Sequence, residues 1–271
     1  LGGIVFSPLL VAVIGLLGFP VAAAAIGLVM VVTIWVLADN FFSKSPGQLG
    51  LLADGDSPGI AAITVTSTSA MTLPGSQLWR NWQFISLAIG MALGLFAQVG
   101  LLAHLFSLLV PALGAQLAGF AAGAATASAI VGRTLFGWLM PTGADRRVFA
   151  CASYTVQIVG SLAFLYADGE NIPILFVGVI LFGFGIGNAT SLPPLIAQVE
   201  FMKEDVPRVV PMIVAVGQGI YAFAPATFGL LQEFATSANS AATGTAPYLF
   251  IVAATIQCSA VVAFLLGRQR T

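Results

Sequence analysis

Charge is the scarcest feature of this sequence. Only 7% of its 271 residues are Asp, Glu, Lys or Arg, while 59% are hydrophobic and the mean hydropathy is +1.02. Soluble globular domains carry roughly 25% charged residues. A water-soluble fold could not cover its surface with so few charges, so we expect lipid to be the solvent for most of the chain. The net charge of −1 gives no indication of a nucleic-acid partner.

Residues that bind metals or perform acid–base chemistry are also rare. The chain has one His and two Cys, which excludes a zinc framework of the Cys/His type. Cys151 and Cys258 lie inside apolar runs, where we expect small buried hydrophobic residues. No Asp, Glu, Lys or Arg lies in the middle of such a run. An enzyme embedded in the membrane would need a metal cluster or an acid–base pair at depth, so we predict no enzyme activity, no metal and no cofactor.

Long apolar runs dominate what is present. A helix that crosses the hydrocarbon layer needs about 20 residues. Eight runs approach that length, and they cover residues 1–17, 21–38, 83–109, 113–140, 148–167, 172–198, 209–232 and 248–266. We predict an all-α polytopic membrane protein with eight transmembrane helices (spans one to eight), in which Pro111 breaks span three from span four. The first run looks clipped and the chain opens with Leu1, so we expect an N-terminally truncated protein.

The basic residues all fall on one side of the predicted membrane. The odd-numbered junctions between spans hold none of them. The even-numbered junctions, the adjoining end of span four and the C-terminus hold Lys44, Arg80, Arg133, Arg146, Arg147, Lys203, Arg208, Arg268 and Arg270. Cytoplasmic loops carry this excess of Lys and Arg. We therefore predict a multi-pass protein of the cytoplasmic (inner) membrane with its C-terminus in the cytoplasm.

Glycines cluster in two of the spans. Span three carries Gly90, Gly94 and Gly100, and span six carries Gly178, Gly183, Gly185 and Gly187 followed by Pro193 and Pro194. Helices interrupted by Gly or Pro at matching positions of two repeats indicate the binding site of a secondary transporter. Close helix packing through small residues is the alternative explanation.

A charged motif covers the end of the fourth span and the junction that follows it. Gly132-Arg133 is followed by Gly137 and then by Asp145-Arg146-Arg147. This pattern resembles the Gly-Arg-x-x-x-Gly…Asp-Arg loop of the major facilitator superfamily, in the copy that lies in the C-terminal half. The family usually places an acidic residue at the position of Pro141, so its role would pass to Asp145 or be missing.

Two further stretches carry the resemblance. The segment 45–51 with Asp54-Gly55 is similar to a signature of bacterial members near the monocarboxylate and oxalate/formate group, and 192–198 with 222–226 resembles helices 10 and 11 of those carriers. The resemblance covers the whole chain as helices 5 to 12 of a twelve-helix protein. It implies a major facilitator fold with three parts. Residues 1–38 would be the last two helices of the N-terminal bundle, 39–82 a cytoplasmic linker, and 83–271 the C-terminal six-helix bundle.

The charged motif has two interpretations. It can be a membrane-surface loop that only sets topology. It can also be a cytoplasmic gate that forms in one conformation and breaks in the other, as the resemblance implies for Gly132, Arg133, Gly137, Asp145, Arg146 and Arg147. Acidic partners for such a gate are available nearby in Glu200, Glu204 and Asp205.

Uncharged polar residues inside the spans are the candidates for contact with a solute. They are Gln98, His104, Asn188, Thr190, Gln218 and Tyr221. An unpaired polar group in an apolar bundle costs about 1–3 kcal/mol, so each must face a partner, the backbone or a wet cavity. Hydrogen bonding between helices is the structural alternative, and we expect it for Gln157.

The sequence thus predicts a secondary active transporter that moves a small organic solute by alternating access. A monocarboxylate is one candidate solute. The carboxylate transporters that this chain resembles often hold a buried cation in helix 8 or 11, so the lack of Lys and Arg in span seven weighs against a dicarboxylate. Proton coupling would need an acid in helices outside this chain. The expected partners are the solute and membrane lipid, and we expect a monomer. The alternative is a membrane sensor or degenerate remnant on the same fold, without transport.

Overall fold

The structure is a computed structural model that describes residues 13, 16–42, 75–141, 143–167, 170–238 and 247–268. The described residues form helices and no strands, which confirms the predicted all-α class. Predicted span one falls almost wholly outside them, as does the signature at 45–55. The chain divides into two compact units, residues 1–69 and 70–271. That residues 39–82 link two bundles stays a prediction.

Nine α-helices are described. They are α1 Phe19–Leu37, α2 Gly75–Leu78, α3 Trp82–Leu139, α4 Arg146–Ala167, α5 Ile172–Ile186, α6 Leu192–Glu200, α7 Val206–Tyr221, α8 Ala224–Ala238 and α9 Pro247–Leu266. A short π-helical turn, Ala38–Phe42, continues α1 in the first unit. All the other helices belong to the second unit.

Five described segments are long and apolar enough to cross a membrane. They are Phe19–Asn40, Trp82–Gly114, Arg146–Ala167, Val206–Phe234 and Pro247–Leu266, and Ile172–Ile186 is a shorter apolar helix. Their lengths and compositions agree with a multi-pass membrane protein. The division into eight spans stays a prediction.

The boundary between spans three and four is not where the sequence analysis expected it. Helix α3 runs through Pro111 and breaks at Gly114, where φ is 72° and ψ is 163°. The prediction that Pro111 ends span three is wrong by three residues. Proline lacks an N–H but can remain in a helix, whereas only glycine adopts a positive φ at little cost. We call the two parts of α3 on either side of Gly114 its first and second arms.

Span six is interrupted, and span three is not. Helix α5 ends at Ile186, a turn covers 187–191, and α6 begins at Leu192 with Pro193 in its first turn. The first arm of α3 is helical throughout. Its glycines instead leave room for aromatic side chains. A Cβ added at Gly90, Gly94 or Gly100 would overlap the ring of Phe264, Tyr154 or Phe228, respectively. The predicted pairing of two interrupted helices therefore holds for span six alone, and span three uses its glycines for packing.

Two apolar clusters fill the second unit at different depths. One contains Phe182 with the later part of the first arm, and the other contains Phe264 with the earlier part of that arm. At the border between the clusters lie four buried polar residues, which we call the polar layer: Gln98, Gln157, Ser161 and Gln257. A polar band thus crosses the interior of an otherwise apolar bundle.

Tryptophans mark the end of the second unit at which α3 and α4 begin and α9 ends, which we call the basic end. Trp79, Trp82 and Trp138 are all more than half exposed there. The indole N–H of Trp82 donates to the carbonyl of Leu266 at 3.0 Å. Tryptophans at helix ends are typical of the membrane–water interface, so the basic end has the character of an interface.

Candidate functional site

Arg147 holds four helices together at the basic end. Its side chain is 1% exposed. The guanidinium makes a paired contact with Glu200, Nε to Oε1 at 2.5 Å and Nη2 to Oε2 at 2.8 Å. Nη1 donates to Ser86 Oγ and to the carbonyl of Phe264, and Nη2 donates to the carbonyl of Gln83, each at 3.1 Å. Every donor direction of the guanidinium is used, which a buried charge requires.

The neighbouring Asp145 fixes the start of α4. Its Oδ1 accepts from the backbone N–H of Arg147 at 2.9 Å and of Val148 at 3.4 Å. These are donors that a helix leaves free in its first turn. Its Oδ2 pairs with Arg268 Nε at 2.5 Å in an exposed position. Asp145 therefore orients Arg147 and links the start of α4 to the residue just beyond α9.

Gly267 completes the surroundings of Arg147. A Cβ at this position would overlap Ser86 Oγ and Arg147 Nη1. The glycine at the end of the last apolar run thus leaves room for the buried guanidinium. This residue was not singled out in the sequence, because a glycine after a span is also the usual way to stop a helix.

Two other residues of the motif contact the interruption of span six. Arg133 Nε donates to the carbonyl of Gly187 at 2.6 Å, and Asn188 Nδ2 lies 3.4 Å from the carbonyl of Gly132. The carbonyl of Gly187 lies at the C-terminal cap of α5, where helical carbonyls lack a partner within the helix. The second arm of α3 therefore binds the turn that interrupts span six.

Close backbone approach explains one glycine of the motif but not the other. A Cβ on Gly132 would collide with the carbonyl of Phe184, and one on Gly187 with the carbonyl of Ala129. A Cβ on Gly137 would have nothing within 4 Å. Gly132 and Gly187 are thus needed for the contact between the second arm and α5, whereas Gly137 is not needed there.

The charged groups of the basic end surround an open cleft of about 250 Å³. It is lined by Gly143, Ala144, Asp145, Arg146, Ile196, Val199, Glu200 and Arg268. Arg146 crosses one side of it and donates from Nη1 to the carbonyl of Leu195 at 2.6 Å. Arg146 and Arg147 therefore both join α4 to α6. Of the three acidic partners considered in the sequence, Glu200 is the one that pairs with Arg147.

The six candidates for solute contact differ in exposure. Gln98 and Asn188 are buried, His104 and Tyr221 are half-buried, and Thr190 and Gln218 are exposed. His104 Nε2 lies 3.0 Å from the carbonyl of Pro225. Among the described residues, no hydrogen bond joins two of these six side chains. Of these six, only Thr190 and Gln218 are exposed.

The polar layer was only partly foreseen. Gln157 was expected to bond between helices, and its Oε1 accepts from Gln257 Nε2 at 3.1 Å. Gln257 was not singled out in the sequence, although it is a glutamine inside a predicted span, as Gln157 is. A spacing of 100 residues separates the two glutamines, so no local pattern connects them.

The fold of this chain is similar to that of a known transporter. A crystal structure described as the POT family transporter PepTSo matches it with a TM-score of 0.57 at 18% sequence identity, over 70% of this chain. The match covers 38% of the transporter's chain, so this chain spans well under half of that protein's length. No protein-family model and no curated protein matches the sequence. The narrower resemblance to the monocarboxylate and oxalate/formate group finds no support in these comparisons and stays a prediction.

Proposed function

We propose that this chain is part of a secondary active transporter of the major facilitator type, which moves a small organic solute by alternating access. The observation that carries the proposal is the interruption of span six, where Asn188 and the exposed Thr190 follow the end of α5. Discontinuous helices supply solute and ion sites in secondary transporters because their free backbone groups and polar side chains need partners. The similar fold of a POT family transporter supports the same function.

The solute would contact the exposed polar side chains of spans six and seven. Thr190 and Gln218 are the residues best suited to direct contact, because both are exposed. Tyr221 and His104 are half-buried and would contribute from the edges, while Gln98 and Asn188 would act from inside the bundle. A neutral set of hydroxyl and carboxamide groups favours a small polar solute. A monocarboxylate remains one candidate on the sequence resemblance alone.

The residues of the basic end would form the gate. Arg147 and Glu200 join α4 to α6, and Arg133 holds the interruption of span six against the second arm of α3. A rocking motion that opens this end would have to exchange some of these bonds for others. The excess of Arg and Lys supports a cytoplasmic position for the basic end.

Uptake into cells that express the full-length protein tests this function. Radiolabelled small carboxylates and neutral polar solutes would be offered with and without a protonophore. We expect saturable uptake of one class of solute, and its collapse with the protonophore would establish proton coupling. No uptake of any solute by protein shown to be inserted in the membrane would favour the sensor or remnant instead.

A further inference from the structure

Three buried polar atoms near the polar layer have no hydrogen-bond partner among the described protein groups. They are Gln98 Oε1, Tyr154 Oη and Gln157 Nε2. The three residues are 6%, 2% and 0% exposed. An unsatisfied buried polar group destabilises the folded state, and native proteins rarely leave such atoms without a protein or water partner. A fourth such atom, Asp205 Oδ2, lies at the basic end and away from these three.

The hydroxyl of Tyr154 touches the turn of α3 that precedes Gln98, and Gln157 lies one turn after Tyr154 on α4. A Cβ on Gly94 would overlap the hydroxyl of Tyr154, so this hydroxyl touches the turn that contains Gly94. Gln98 follows one turn later on the same face of α3, and helical side chains generally lean toward the N-terminus of their helix. Gln157 lies three residues after Tyr154 on α4, so it shares the face of α4 that carries the hydroxyl.

The hydrogen bonds of the polar layer all run in one direction, from donor to acceptor. Ser161 Oγ lies 3.5 Å from Gln257 Oε1, and Gln257 Nε2 donates to Gln157 Oε1 at 3.1 Å. The chain of hydrogen bonds therefore ends on the N–H groups of Gln157, which are donors. Gln98 Oε1 is an acceptor, and the hydroxyl of Tyr154 can donate or accept. A donor, an acceptor and a hydroxyl are a complementary set for one molecule that both donates and accepts.

We propose that an ordered water molecule binds at this point inside the bundle and bridges Gln98, Tyr154 and Gln157. The water accepts from Gln157 Nε2, donates to Gln98 Oε1 and makes its third hydrogen bond with the hydroxyl of Tyr154. Buried waters typically make about three hydrogen bonds to protein groups that otherwise lack partners. This water joins α3 to α4, and the bond between Gln157 and Gln257 extends the connection to α9. The proposal stands independently of the transport function.

The sign of the effect of Tyr154→Phe on stability tests the water. We expect the melting temperature of the purified full-length protein to fall by about 2–4 °C, because the water loses one of its partners. If the hydroxyl were simply buried without a partner, its removal would raise the melting temperature, and this result would overturn the proposal. Tyr166→Phe is the matched control, since Tyr166 is 80% exposed and its hydroxyl should contribute little.

A double-mutant cycle and a direct structure complete the test. Gln98→Leu and Tyr154→Phe share the water, so their effects on melting temperature should be less than additive, whereas additive effects contradict a shared molecule. A structure that resolves water should show a peak about 2.7–3.2 Å from all three atoms. Direct contact between the side chains with no water among them would also overturn the proposal, and this measurement does not require any variant to fold.

Discussion

Arg147 and Glu200 form a two-point ion pair inside the bundle, with Nε to Oε1 at 2.5 Å and Nη2 to Oε2 at 2.8 Å. The arginine is 1% exposed and the glutamate 15%, although both begin or end helices at an interface. Paired geometry of this kind gives stronger and more directional bonds than a single contact between charges. The pair therefore belongs to the interior of the bundle and differs from a loop charge that only sets topology.

We predict that Glu200→Gln destabilises the protein by about 3–5 kcal/mol, because the substitution leaves a guanidinium buried without its counter-charge. Thermal unfolding of the full-length protein in detergent would measure the loss. Arg268→Gln is the matched control, since its pair with Asp145 is 46% and 35% exposed and should contribute no more than about 1 kcal/mol. Equal losses in the two variants would show that burial does not strengthen the Arg147 pair.

The sequence predicted the class of fold because membrane-spanning helices have strong local signals. Length, apolar composition and the scarcity of charge decide where a helix crosses lipid, and each can be counted along the chain. Four residues of the motif at 132–147 make specific contacts in the structure: Gly132, Arg133, Asp145 and Arg147. Their role as a gate stays a prediction.

The partners of those residues could not be predicted in the same way. Arg147 bonds to residues 61, 64 and 117 positions away in the sequence, and two of these bonds use backbone carbonyls that any residue could supply. The position of the turn in α3 was missed for a different reason. Pro111 and Gly114 lie three positions apart, and both residue types tend to break helices. Only the backbone geometry shows that the helix breaks at Gly114.

We predict that Gly114→Ala destabilises the protein by about 1–2 kcal/mol, whereas Pro111→Ala leaves its stability unchanged or higher. Gly114 has a φ of 72°, which strains any residue with a Cβ. Pro111 lies within the helix, where alanine supplies the N–H that proline lacks. Thermal unfolding of both variants compares the two sites. A larger loss of stability in Pro111→Ala would indicate that the proline, and not Gly114, determines the break in α3.

The two glycines of the motif should respond differently to alanine. Gly132→Ala brings a Cβ against the carbonyl of Phe184 and should destabilise the protein by about 1–3 kcal/mol, because backbone must move. Gly137→Ala meets nothing within 4 Å and should stabilise α3 by about 0.5–1 kcal/mol. Unfolding midpoints of the two variants provide the comparison. Matching losses would mean that Gly137 has a packing partner outside this chain.

The proposed solute contact at the interruption of span six can be tested with a substitution that keeps the volume of the side chain. Thr190→Val keeps the shape of the side chain and deletes its hydroxyl. If this hydroxyl binds the solute, we expect KM for uptake to rise about 2- to 10-fold, which corresponds to one neutral hydrogen bond. Surface expression and the melting temperature should stay the same, because Thr190 is exposed.

Thr134→Val is the control for this experiment. Thr134 is also exposed, but its hydroxyl already donates to the carbonyl of Ile130 at 3.0 Å within α3. Its removal should leave KM unchanged, because a hydroxyl that bonds to its own helix has little left to offer a solute. Uptake that is unaffected in Thr190→Val would move the solute away from this turn. In that case Gln218 is the remaining exposed polar candidate, and Gln218→Leu should raise KM instead.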